Sequence, residues 1–136
     1  MSTPAMPMSA WFAAMHKAMT SEDPEALKAL IHPDFVLHED PGVPYGGVFK
    51  GQEGFLKVAL AVRDTWCDQT LERMHYSESP ETNTASIVLR MRARAKPTGT
   101  LIETYVSEIW SFRDGLGIEA YVWYWNTPEL IAALKG

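Results

Sequence analysis

The stretch from Leu101 to Gly115, LIETYVSEIWSFRDG, alternates with a period of two. It places Ile102, Thr104, Val106, Glu108, Trp110 and Phe112 on one face and Glu103, Tyr105, Ser107, Ile109 and Ser111 on the other, the pattern of a half-buried strand. A carboxylate, Glu108, thus stands in an apolar row between Val106 and Trp110. Burying a bare charge is costly, so Glu108 must be ion-paired, hydrogen-bonded or kept neutral by a raised pKa. It is either a structural anchor or a chemically active group.

Around this strand the text divides cleanly. Ser9 is the expected N-cap of a first amphipathic helix carrying Trp11, Phe12, Met15, Ala18 and Met19. Asp23-Pro24-Glu25 opens a second, short helix burying Leu27, Leu30 and Ile31, expected to stop near His32 because Pro33 follows. From Asp34 the period becomes two, with Phe35, Leu37 and Glu39 inward and Val36, His38 and Asp40 outward. Glu39 is thus a second carboxylate in an apolar row. Pro41 to Gly47 reads as a wide loop, and Val48 to Lys50 as a short strand.

Gly51 leads into the longest helix, with a stripe of Phe55, Ala59, Val62 and Trp66 widened by Leu56 and Leu60. Four strands follow, over Leu71 to Ser79, Ala85 to Lys96, Leu101 to Phe112 and Ile118 to Trp125, joined by short polar turns. Thr127-Pro128-Glu129 starts a terminal helix. Helices segregated from a strand meander define an α+β domain, a cone-shaped, curved antiparallel sheet wrapped around the long helix, with N-terminal helices. A small-molecule pocket is expected in the mouth of the cone.

At 136 residues the chain is expected to form a single domain over 1–136, residues 1–8 being a flexible N-terminal segment. No apolar run approaches the roughly 20 residues that span a bilayer, so no membrane association is expected. The opening MSTPAMPMS lacks the charged and apolar regions of a secretory signal, and Cys67 is the only cysteine. A cytoplasmic location is expected. With a net charge of −5, nucleic acid is not an expected partner. Arg90, Arg92 and Arg94 alternate with Leu89, Met91 and Ala93 and read as a solvated or subunit-facing stripe.

Three stretches, DPEALKALIHPDFVLHEDPG, PYGGVFKGQEGFLKV and VSEIWSFRDGLGIEAYVWYWNTPELIAAL, resemble the NTF2-like superfamily, in its SnoaL-like and ketosteroid-isomerase-like branch. The resemblance covers most of the chain and implies the cystatin-like/NTF2-like cone. It also implies site residues. The general base of the isomerases ends the first strand before a Pro-Gly loop; counting from Asp34 matches it to Glu39, while the Asp-Pro spelling matches it to Asp40. Their oxyanion-binding acid matches Glu108. Their helix-borne tyrosine has no counterpart, since the matching region offers Met15 or Phe12, which argues against steroid isomerisation. Tyr45, Tyr76 or the outward Tyr105 are the alternative phenols. The Asp-Arg-Asp set of related epoxide hydrolases is not assembled, and Asn126 stands where many relatives have Asp.

The reading that follows is a cofactor-independent acid–base enzyme, an isomerase, cyclase or dehydratase, acting on a small apolar molecule with a carbonyl or hydroxyl group. Glu39, Asp40 and Glu108 are the catalytic candidates; Met15, Leu37, Tyr45 and Trp110 are the substrate-binding ones. No cofactor and no metal are expected, because His16, His32, His38 and His75 lack ligand spacing. The alternative is a non-catalytic small-molecule-binding or protein-interaction module in which Glu108 is a buried anchor. Either way a homodimer is expected, packed through the outward face that carries Tyr121, Trp123 and Trp125.

Overall fold

The structure, a computed structural model, describes residues 7–136. The flexible segment expected over residues 1–8 lies outside this range except for Pro7 and Met8, and Met8 already belongs to a helix. The elements are α1 (Met8–Thr20), α2 (Pro24–Lys28), β1 (Ile31–Glu39), β2 (Gly47–Lys50), α3 (Gly51–Thr65), β3 (Trp66–Ser79), β4 (Thr84–Ala95), β5 (Leu101–Arg113), β6 (Leu116–Tyr124) and α4 (Thr127–Lys135). The six strands form one curved, unclosed sheet in the order β2-β1-β6-β5-β4-β3. Every pair is antiparallel except β1 and β6, which run parallel because β6 returns beside β1 after the whole meander.

Local chemistry accounts for most boundaries. Asp23 caps α2 through its side chain, which accepts from the Ala26 N–H at 3.1 Å. Ser9 does not cap α1; the N-cap is Pro7, and no side chain bonds there. Pro33 does not follow a helix end directly either. The helix stops at Lys28 and β1 begins at Ile31, whose pairing with Gly117 is followed by an irregularity before Val36. Proline lacks an N–H, and the irregular stretch is where a strand tolerates that loss. Trp66 opens β3 instead of closing α3, pairing with Ala95, and a second irregularity between Cys67 and Thr70 hid the alternation there. Leu60, placed in the α3 stripe from sequence, is half exposed.

The core lies between the inner sheet face, α1 and α3. Trp11 of α1 is buried and donates its indole N–H to the Leu30 carbonyl at 2.9 Å, tying the helix to the start of β1. Trp110 stacks on Phe35 at 5.6 Å and meets Trp11 at 4.8 Å. Gly117 of β6 makes this possible. A Cβ there would lie 3.0 Å from the Trp110 ring and 3.2 Å from that of Trp11, closer than two wedged indoles can yield.

Candidate functional site

Strand register builds the site. Glu39 of β1 and Glu108 of β5 both pair with Val122 of β6, one from each side. Two strand spacings therefore separate their Cα atoms, roughly 10 Å, with both side chains on the inner face. The adjacent row on that face is Leu37, Ala120 and Trp110; on the other side lies Tyr124, opposite Val106. Together with α1 and α3 these rows enclose a cavity of about 470 Å³. Its walls are mainly apolar, Phe12, Met15, Phe55, Val58 and Met91 among them.

Glu39 is only 5% exposed, and among the described residues it and Thr104 are the polar side chains buried in the core. Burial pushes its pKa up to about 8; a hydrogen bond from Tyr124 opposes the shift, and the nearby charges of Glu108 and Asp40 add to it. Glu108 is shifted upward too, by burial, against the opposing effect of the Trp110 indole, which donates to its Oε1 at 2.8 Å. Glu108 keeps some accessible surface, as a cavity-lining group does.

Behind Glu39 runs a directed chain of hydrogen bonds. The Trp66 indole N–H donates to the Tyr45 hydroxyl oxygen at 2.9 Å, Tyr45 donates to the Tyr124 oxygen at 3.0 Å, and Tyr124 donates to Glu39 Oε2 at 3.0 Å. An indole can only donate, and this orientation alone uses every proton in the chain, so the chain points at Glu39. Burial raises the Tyr45 phenol to about 12 and Tyr124 well above its usual value, which keeps both protonated at neutral pH.

Of the residues singled out from sequence, Glu39, Glu108, Met15, Leu37 and Trp110 line the cavity, whereas Asp40 and Tyr45 do not. Asp40 alternates to the other side of β1. Its Oδ1 accepts from the Gly42 N–H at 2.8 Å and its Oδ2 from the Tyr124 N–H at 3.0 Å, so it fastens the loop and the end of β6. Tyr45 does not close over the mouth; it is 7% exposed and sits behind Tyr124. Phe12 lines the cavity, Tyr76 packs against Phe12 outside the lining, and Tyr105 lies outward against Trp125.

The phenol missing from the sequence reading is Tyr124. The alternation that points Tyr121 and Trp123 outward sends Tyr124 inward, a signal that was present but unused. His16, Gln69 and Arg73, also unanticipated, complete the lining where it meets solvent. Elsewhere, His38 lies on the outer face, 2.9 Å from Glu119 and stacked on Tyr121. Arg90, Arg92 and Arg94 pair outward with Glu72, Glu103 and Asp68. Among the described residues no group of three or more His, Cys, Asp or Glu side chains is placed to hold a metal ion, and no helix is long and apolar enough to cross a membrane.

A curved sheet closed by helices over a cavity is the architecture of NTF2-like proteins, and comparison with solved structures bears this out. An NTF2-like protein of unknown function from Burkholderia pseudomallei superposes with a TM-score of 0.82 at 18% identity, over 94% of this chain and 97% of that one. TerC, crystallised with polyporic acid, gives 0.81 at 16% identity over 96% and 100%. IdmH of Streptomyces antibioticus, provisionally a polyketide cyclase, gives 0.74 at 24% identity over 94% and 98%. At such identities the likeness is one of fold. The model of the SnoaL-like domain family matches residues 12–120, and the chain belongs to that family. No protein of curated function matches it in sequence.

Proposed function

We propose that this protein is a cofactor-independent acid–base enzyme, of isomerase, cyclase or dehydratase type, acting on a small apolar compound with a carbonyl or hydroxyl group. The observation that carries this reading is the pair Glu39 and Glu108: two carboxyls flanking one residue of β6, inside one apolar cavity, both with raised proton affinity. Tyr124 occupies Glu39 Oε2, which leaves Oε1 to take a proton from substrate. Trp110 occupies Glu108 Oε1, so in neutral Glu108 the proton is on Oε2, free to bond an oxygen that gains charge. The proton held by Glu39 then returns to substrate or to the leaving oxygen. The fold shared with a provisional polyketide cyclase and with a protein crystallised with polyporic acid is consistent with such a substrate.

The Trp110 bond also supports the rival reading, a non-catalytic binding or interaction module, because it gives Glu108 a partner that an anchor would need. A thermal-shift screen of cyclic ketones, enols, epoxides and hydroxy-acids, followed by turnover assays on the hits, separates the two. Under the enzyme reading Glu108→Leu, which removes the oxyanion donor, lowers turnover by about 100-fold or more while melting within a few degrees of wild type, and Glu108→Gln, whose amide N–H still donates, loses less. A variant that only melts earlier, with turnover intact, refutes it.

A further inference from the structure

The polar groups of the cavity fall into two sets. Glu39, Glu108 and Tyr124 stand on the inner sheet face; His16, Gln69 and Arg73 are exposed and stand on α1 and β3, where the cavity opens. Gln69, Leu71 and Arg73 alternate along β3 and share its inward row. Arg73 differs from the other arginines in what it holds. Arg63, Arg90, Arg92 and Arg94 each pair with a carboxylate, at 3.6, 2.5, 3.2 and 3.7 Å. Among the described residues Arg73 pairs with none, and Glu72 beside it is taken by Arg90 on the opposite face. Its guanidinium lies over the Tyr76 ring at 4.7 Å. An aromatic face beneath a guanidinium holds the plane while leaving its N–H edge turned outward, the geometry that grips a carboxylate with two parallel bonds. Arg113 is likewise without a carboxylate partner, but it ends β5 at the β5–β6 turn and is not part of the lining.

We infer that the cavity takes an amphipathic organic anion, whose apolar ring body fills the interior and whose carboxylate is held at the mouth by Arg73, with Gln69 and His16 beside it. In a chain of net charge −5 an uncommitted cation on the lip of an apolar cavity is a local reversal of field, and it draws an anion in end first. A lone inorganic anion would make no use of the apolar walls, and a neutral hydrocarbon would make none of Arg73. The inner end of this substrate, a carbonyl or hydroxyl facing Glu39 and Glu108, rests on the acid–base reading above; the outer contact rests on Arg73.

The experiment compares 2-naphthylacetate with its neutral isostere 2-naphthylacetamide by isothermal titration at pH 7 in about 50 mM salt, where surface pairs are weakly screened. The full chain and its Arg73→Glu and Arg113→Glu variants are titrated with each. The expected ratio of affinities favours the carboxylate by about three- to fivefold, the scale of an exposed ion pair. Arg73→Glu brings the ratio to one or below, Arg113→Glu keeps it, and raising salt to about 0.5 M diminishes it in the wild type. A ratio of one in the wild type, or an equal fall in both variants, overturns the anion preference and leaves the acid–base reading standing. Failure of both probes to bind overturns the two together.

Discussion

Glu39 carries a large electrostatic consequence of the fold. Its folded-state pKa, about 8, lies above the ordinary carboxylate value of 4.5, so the folded chain holds this proton more tightly than the unfolded chain. Stability from this group is full below the ordinary value and is lost as pH rises toward 8, at on the order of 1 kcal/mol per pH unit. Glu108, shifted the same way, acts with the same sign. Urea denaturation between pH 5 and 9 is expected to show this decline, and Glu39→Gln to flatten it; a slope identical in the variant would refute the assignment. Catalysis should follow the opposite limb, since a base works only when ionised, and turnover is expected to climb with pH through about 8. Tyr124→Phe removes the hydrogen bond that opposes the shift, so that limb should move to higher pH. A merely structural tyrosine would leave its midpoint in place.

Two elements hold these side chains in position, the loop after β1 and strand β6. The loop folds inward because Asp40 gathers it: its carboxylate binds Gly42, and its carbonyl accepts from the Val43 N–H at 3.3 Å. The chain then passes so near that a Cβ on Gly46 would lie 2.0 Å from the Asp40 carbonyl oxygen. Gly46→Ala therefore cannot be accommodated without moving the loop and Tyr45 with it. A loss of about 2 kcal/mol or more in urea denaturation is expected, with a weaker hold on Glu39 through Tyr124. Strand β6 serves both faces at once. Ala120, Val122 and Tyr124 face inward, the last two onto the cavity, Tyr121 and Trp123 face out, and a one-residue slip would exchange the two sets.

Across the whole molecule the unexplained feature is the outer face of the sheet. Ile109 pairs with Tyr121, which stacks on Trp123 at 5.8 Å, and Trp123 and Trp125 are 44% and 62% exposed. Our proposal for this band is a second copy of the chain, because one contiguous apolar patch can meet itself about a two-fold axis. Gel filtration is then expected to give twice the 15.3 kDa mass of the chain, and Trp123→Glu to give the single mass. Elution of the wild type at the single mass would remove this proposal.

Much of this was legible in the chain itself. Period-two rows in β1 and β5 placed Glu39 and Glu108 inward, and Asp23-Pro24 marked the start of α2, because alternation and capping are properties of a few consecutive residues. The inward Tyr124 was legible by the same rule. What the chain could not convey was which rows meet. That Glu39 and Glu108 flank the same Val122, that Tyr45 retreats behind Tyr124 instead of covering the mouth, and that Arg73 is left without a carboxylate all depend on strand order, on register and on one tight loop. Those are settled by packing between segments up to about 85 residues apart, such as Glu39 and Tyr124. Local periodicity decides which way a side chain points; only the assembled sheet decides what it points at.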